Sequence, residues 1–512
     1  MTKHGATSHR GTSHVPGSPF AKTGVFGRMF PTLPSQDFDN ELLVELGKKG
    51  GPMDEGNAGE EGNSPSIPAG FTFLGQFIVH DSTFDPTSSL ERQNDPEAIH
   101  NFRTPLLELD SIYGSGPEAS PFLYARPERG HPVAKLLIGA NDEGQPDDLP
   151  RNSEGVALIG DPRNDENLIV SQLHVAFLKF HNQVVDYIRD ITPASELFEE
   201  AQRIVRWYYQ WIMVHEFLPL IVGQEVVDDV LKYGRTFYWF QGEPFIPVEF
   251  SAAAYRFGHS QVRTGYRINE QVAARLFPDL SSGFEPVPAE KVVDWRNFFQ
   301  IPADGNPQPS RRIDSKIASV LLDLPFIPDP RPERRSLAVL NLLRGKSFGL
   351  PSGQRVARAM HIDALTDVEI GLRDLGFPPG HTPLWFYILK EAEVQNQGTY
   401  LGAVGGRMVA EVLLGLLEGD FKSYLSHEPH WKPFLPRTDY ETFTMADLLS
   451  FAGVASPVMP RVYTVQHGDT LRSIARSFYG DESRWQDIFE ANQDQINDPD
   501  LIFPDQMLTI PQ

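Results

Sequence analysis

Few segments of this chain alternate polar and apolar residues at every second position. Up to about residue 425, apolar residues recur instead at spacings of three and four, the signature of one buried helix face. That periodicity argues against a sheet-based body, and the main fold class is expected to be α. Helices are predicted over about 168–191, 194–217, 312–323, 333–343, 351–360, 382–396 and 401–418. Thr192-Pro193 should close the first and open the second, because proline is tolerated in a first helical turn. Leu218-Pro219 should end the second, and residues 277–310 read as loop. With 40% apolar residues and 34 Phe in 512 residues, there is material for a large core plus a smaller unit.

One predicted helix carries polar groups in an apolar setting. In the segment from Phe71 to Asp81, Gln76 and His80 are four apart and share a face. Asp81 lies about 100° further round the axis. Phe71, Phe73, Leu74, Phe77 and Ile78 imply burial, so each polar group needs a partner. By itself the stretch reads either as a core helix with satisfied polar groups or as a site. Four other stretches raise similar questions. Thr104, Glu108 and Asp110 offer oxygens of the kind a hard cation requires, although such a loop is also a plain solvated loop. Arg163 and Glu166 lie three apart before the helix at 168, where an acid also suits the helix dipole. Phe250 to Ala254 leads into Tyr255-Arg256-Phe257-Gly258-His259, a second histidine in an apolar segment. Asn341 and Arg344 sit in the helix predicted at 333–343 and just beyond it.

Charge and composition exclude several classes. A net charge of −23 argues against nucleic acid or anionic lipid as a partner. The absence of cysteine removes disulfides, thiolate nucleophiles and Cys-ligated zinc. No window approaches the 18 apolar residues of a membrane span. Residues 1–36 are rich in Gly, Ser, Thr and Pro, carry no acid and lack the apolar core of a secretory signal, so a flexible arm, disordered or wrapped on the surface, is expected. A cytoplasmic location, or export by a route that leaves no such mark, follows as an expectation. Residues 426–461 are Pro-rich and read as a linker. Residues 462–512 change texture: strand, helix, helix, strand in about fifty residues, a small α+β (βααβ) module.

Taken as an ordered set, these stretches resemble the animal-type haem peroxidases of the peroxidase–cyclooxygenase superfamily. The residues that carry the resemblance are GQFIVHD at 75–81, TPLLELDSIYG at 104–114, GDPRNDE at 160–166 with HN at 181–182, YRFGH at 255–259 and LNLLRG at 340–345. Residues 37–425 would form the helical peroxidase domain. The 462–512 module resembles a LysM domain through YTVQHGDTLRSIA, EANQDQI and PDQMLTIP.

The resemblance implies roles. His80 would be the distal acid–base histidine, Arg163 the distal arginine, and Gln76 a residue orienting peroxide or water. His259 would ligate the iron of haem b, Asn341 would accept from its other ring nitrogen, and Arg256 and Arg344 would pair with the haem propionates. Asp81, Thr104, Glu108 and Asp110, with the Leu106 carbonyl, would hold calcium. Many relatives esterify haem through an Asp before the distal histidine and through the Glu of the GDxRxxE motif. Val79 stands at the first position here, so at most one ester, through Glu166, is expected. Glu108 stands where Asp is usual. His174, His181 and His215 read as packing or hydrogen-bonding residues. The implied activity is reduction of hydrogen peroxide with one-electron oxidation of small donors, halides being undecided by any residue. The LysM domain would bind peptidoglycan-like or chitin-like N-acetyl sugars. Two rival readings remain. A fatty-acid dioxygenase of the same superfamily needs a Tyr three residues before the proximal histidine, where this chain has Arg256. A non-catalytic carbohydrate-binding wall protein is the other.

Overall fold

The computed structural model describes residues 24–83, 100–101, 104–127, 132–281, 283, 285–301, 306–439, 441–455, 461–479, 481–493, 495–496, 498–504 and 506–510. The body is helical, as the periodicity requires. Its central element is Leu168–Ile188, opened by Asn167, whose side chain accepts from the Val170 N–H. This helix is buried on nearly every side, which is why its apolar residues are not confined to one stripe. Against it pack Leu197–Ile212 and Gly70–Ser82, and Phe77 of the latter stacks on Phe177 at 4.9 Å. Leu337–Ser347, Gly353–Ala359, Leu384–Asn396 and Ala403–Gly419 complete the main helical set, close to the expected spans.

Two predicted elements differ. The helix expected to stop at Pro219 passes through a π turn, Met213–Phe217, and continues as Leu218–Val222. The π turn takes the Leu218 N–H to the Met213 carbonyl, five residues back, and Pro219, which lacks an N–H, follows without ending the helical path. The helix expected at 312–323 is absent. Pro309–Arg311 is instead a strand paired antiparallel with Asn63–Pro68, and only Ser319–Leu322 forms a 3-10 turn. The N–H groups of Arg311, Arg312 and Ile313 bond to Gln261, Gly62 and Gly398, so no helical ladder can form. Ile313, Ile317 and Leu321 are nevertheless buried, which accounts for the helix-like spacing.

Residues 24–36 are not a free arm. Gly24–Gly27 pairs with His100–Asn101 on one side and Ile246–Pro247 on the other. Buried Glu249 accepts the N–H groups of Met29 and Phe30 at 3.0 and 3.2 Å. The remainder of the expected arm, residues 1–23, lies outside the described residues.

Residues 426–455 are not a linker either. Trp431, Leu435, Phe443, Met445, Leu448 and Leu449 belong to the main hydrophobic core. Trp431 meets Trp207 and Tyr208 edge-on, and the Tyr208 hydroxyl accepts the N–H groups of Phe434 and Leu435 at 2.6 Å each. Aromatic anchors between the prolines outweigh the loop signal that the prolines give.

The final module has its own core, formed by Val465, Leu471, Ile474, Ile488, Leu508 and Ile510 among others. Arg461–Thr464 pairs antiparallel with Met507–Ile510 around helices Leu471–Tyr479 and Trp485–Glu490, the expected βααβ order. Buried Asn492 ties helix to strand through Ile488 and Thr509. No helix among the described residues is long and apolar enough to cross a membrane.

Candidate active site

The Gly70–Ser82 helix starts against residue 298, where the Gly70 N–H bonds to the Phe298 carbonyl at 2.9 Å. A Cβ on Gly70 would lie 2.5 Å from that oxygen, so only glycine allows the approach. Between Phe71 and Ser82, every residue is buried except Gln76 and Val79, three apart on one face. The Asn167 side chain donates to Gln76 Oε1 at 3.4 Å. His80 is buried, and its Nδ1 stands 2.8 Å from Asn164 Oδ1.

Arg163 and Asn164 lie on a 3-10 turn, Pro162–Asp165. Asp161 caps the turn by accepting the Arg163 N–H, and Pro162 follows in the first position. The same buried carboxylate grips the Arg163 guanidinium through Nε and Nη2, the latter at 2.7 Å. Nη2 also donates to the His80 carbonyl at 2.8 Å, so Arg163 and His80 are fixed to each other. Glu166 ends the turn. It is exposed to solvent yet surrounded by protein mass, and that burial raises its carboxyl pKa while Arg163 draws it down.

The second histidine approaches from the short helix Val248–Ala252 and the 3-10 turn Ala254–His259, not from a longer helix. Tyr255 joins the two parts by donating to the Gly75 carbonyl at 3.2 Å. His259 Nδ1 stands 2.7 Å from the Asn341 side-chain amide, and Trp385 lies edge-on to the ring at 6.3 Å. Arg256 donates to Asn341 Oδ1 at 2.5 Å and to the Ser251 carbonyl at 2.9 Å. A guanidinium has no acceptor, so the Asn341 oxygen faces Arg256 and its NH2 faces His259. In this structure the amide NH2 faces His259 Nδ1; iron ligation through Nε2 would put the ring proton on Nδ1, and the Asn341 oxygen would then accept it. Burial, reinforced by Arg256, pushes the His259 pKa down to about 3, so the ring is neutral and holds a lone pair. Arg344 is part-exposed with its guanidinium 5.6 Å from the Phe348 ring centre.

The residues present fit a haem. A Cβ on Gly258, beside His259, would meet nothing within 4 Å, and His259, Arg256, Gln76 and Val79 are all part-exposed in an otherwise buried region. A neutral imidazole next to such space is a ligand of the right kind for haem iron.

The expected calcium residues gather in part. Asp81 is fully buried and accepts the Leu109 N–H at 3.1 Å. Leu109 has a left-handed backbone (φ 58°), which turns the chain into Asp110–Tyr113. Asp81 and Asp110 both oppose ionisation of Tyr209, whose own burial raises its pKa most. Glu108 turns elsewhere. Its carboxylate accepts from Thr104 at 2.5 Å and lies 3.9 Å from Arg206, while its carbonyl takes Arg206 Nε. Leu106 is part-exposed in the same loop. Among the described residues no three or more His, Cys, Asp or Glu are gathered as a metal site. The buried carboxylate of Asp81, the half-buried Asp110 and loop carbonyls suit a hard cation, and Glu108 as oriented does not join them.

Asp161 and Asn164 escape sequence reasoning in this region, as does the contact of His174 with Asn164. Asp161-Pro162 carried a signal, since Asp before Pro marks a helical turn about to begin. His181, between Tyr113 and the Ala134 carbonyl, and His215, against Tyr424, have the hydrogen-bonding roles expected of them.

Comparison with known proteins agrees with this geometry. Residues 79–372 match the model of the family described as animal haem peroxidase, and residues 463–511 match the LysM domain. A chorion peroxidase of Drosophila melanogaster is 28% identical over 348 residues, 62% of this chain and 41% of that protein. The eosinophil peroxidase of Homo sapiens is 27% identical over 208 residues, 38% of this chain and 28% of that protein. The chain thus spans less than half the length of these curated relatives. Among solved structures, peroxidase A from Dictyostelium discoideum superposes with a TM-score of 0.57 at 16% identity, covering 84% of this chain and 92% of that one. A fatty acid alpha-dioxygenase of Arabidopsis thaliana gives 0.56 at 15% identity, covering 91% and 79%. These last two likenesses concern the fold alone. The family match covers more than half of the chain and takes in His80, Arg163, His259 and Asn341: the chain belongs to the animal haem peroxidase family and carries a LysM domain.

Proposed function

We propose that the chain is a haem peroxidase that reduces hydrogen peroxide and oxidises small donors by one-electron steps. The observation that carries this reading is the fixed pair of His80 and Arg163, joined at 2.8 Å and locked by Asp161. Haem bound at His259 supplies the electrons for peroxide reduction. The protein's own work is to move a proton and to steady charge. His80 takes the proton of bound peroxide and returns it to the departing oxygen. Arg163, permanently charged, stabilises the negative charge that develops as the oxygens separate. Gln76, one turn before His80, orients peroxide or water. Arg256 and Arg344 hold the propionates. Calcium at Asp81 and Asp110 steadies the helix that carries His80. The LysM domain holds the enzyme on an N-acetyl sugar polymer.

The test uses the full chain loaded with haem. It should oxidise a phenolic donor only when peroxide is added, and should sediment with chitin or peptidoglycan unless residues 461–512 are removed. A protein that takes up haem yet turns over no donor with peroxide would refute the catalytic reading. The dioxygenase reading is disfavoured because Arg256 occupies the position of the required tyrosine. Tyr255, its neighbour, commits its hydroxyl to the Gly75 carbonyl.

We also propose that haem is held by at most one ester, through Glu166, since Val79 offers no carboxylate. After acid–acetone extraction, mass spectrometry should find haem either free or attached once, and Glu166→Gln should release all of it. Two esters in the wild type would contradict this assignment.

A further inference from the structure

Asn164 is fully buried and stands between two histidines. Its Oδ1 is 2.8 Å from His80 Nδ1, and its Nδ2 is 3.0 Å from His174 Nδ1. We propose that Asn164 is a positioning residue for His80 and that His174 fixes Asn164 in turn, so that this chain of three side chains decides which nitrogen of His80 carries the proton. The inference rests on the reading of His80 as the acid–base group and deepens it.

The logic follows from donors and acceptors. An amide oxygen only accepts, so the His80 nitrogen facing it, Nδ1, is the protonated one. The lone pair of the neutral ring then lies at Nε2, the nitrogen left to take a proton from peroxide. An amide can turn over and exchange its oxygen for its NH2, which would reverse the tautomer of His80. His174 opposes this in the tautomer that leaves its Nδ1 unprotonated, the one that matches the Asn164 NH2 facing it. It is fully buried, and burial lowers its pKa to about 3, so the ring is neutral and its Nδ1 accepts the Asn164 NH2. No other hydrogen bond competes for the ring, because His174 Nε2 is buried without a hydrogen-bond partner. Nothing in this arrangement touches substrate except His80; Asn164 and His174 act through it.

The experiment loads the full-length chain with zinc protoporphyrin IX, which is diamagnetic, and labels its histidines with 15N. Long-range proton–nitrogen spectra report the tautomer of His80, assigned by the resonance that disappears in His80→Gln. The wild type should show the proton on Nδ1. Asn164→Asp keeps an acceptor and should keep that tautomer. Asn164→Leu, closer to Asn in shape but without an acceptor, should give mixed tautomers, and so should His174→Phe. In the haem-loaded protein, Asn164→Leu should react with peroxide about 10- to 100-fold more slowly at unchanged haem content, with Asn164→Asp recovering most of the loss. A purely structural role would favour the opposite order, because Asp buries a charge and Leu does not. A wild-type His80 protonated at Nε2, or an Asn164→Leu variant with the wild-type tautomer and rate, would overturn the proposal. If the tautomers behave as expected while no variant, wild type included, reacts with peroxide, the relay stands and the peroxidase reading falls.

Discussion

His259→Ala should abolish stable haem binding. Haem content after reconstitution should fall to a small fraction of wild type, measured by pyridine haemochrome against protein concentration. Three features make His259 hard to replace. Asn341 holds its ring at 2.7 Å and Trp385 stands edge-on to it, so the ligand is oriented before any haem arrives. Burial keeps it neutral, with a pKa of about 3, so its lone pair is present throughout the physiological range. The other buried histidines among the described residues are committed elsewhere: His80 and His174 to Asn164, His181 to Tyr113 and the Ala134 carbonyl. A His259→Ala protein with a full haem complement and an unchanged spectrum would show that the iron ligand is another residue.

His80→Ala should separate binding from chemistry. Haem content should stay near wild type, while the reaction with peroxide, followed by stopped-flow absorbance, slows by about 10²–10⁴-fold, the usual size of an acid–base contribution. The bond between Arg163 and residue 80 uses the backbone carbonyl, so the arginine keeps this anchor when the imidazole is removed. Its bidentate grip on Asp161 also remains. The substitution therefore tests the ring alone. Peroxide reacting at the wild-type rate would remove His80 from the mechanism.

How far the fold was legible in the sequence varies by region, and the reasons are local. Long helices such as Leu168–Ile188 and Ala403–Gly419 announce themselves because a helix must bury a face, and burial leaves a period. The stretch near 313–321 shows the limit of that argument. Ile313, Ile317 and Leu321 also bury at spacing four, but on irregular chain whose N–H groups are taken by distant carbonyls. Periodicity reports what is buried and not which hydrogen bonds form. The positions of the two candidate histidines, His80 and His259, were legible through short strings around them. Their partners were harder. Asn341 lies in such a string, whereas the contact of Asn164 with both His80 and His174 joins residues 84 and 10 apart and leaves no local pattern. Glu108 is a related case: its carboxylate accepts from Thr104 at 2.5 Å and lies 3.9 Å from Arg206, 98 residues away, a neighbour that no local string announces.

The segments at 24–30 and 426–455 have a consequence for how such a protein can be inherited. Both lie outside the 79–372 span that bears the family pattern, yet Phe26, Met29, Phe30, Trp431, Phe443 and Leu448 are part of its core. A gene fragment covering the patterned span alone would specify a body with two open apolar seams. Recombination that moves this helical body intact into another gene must carry residues 24 to 455 together. The LysM module, with a core of its own, is free to be exchanged separately.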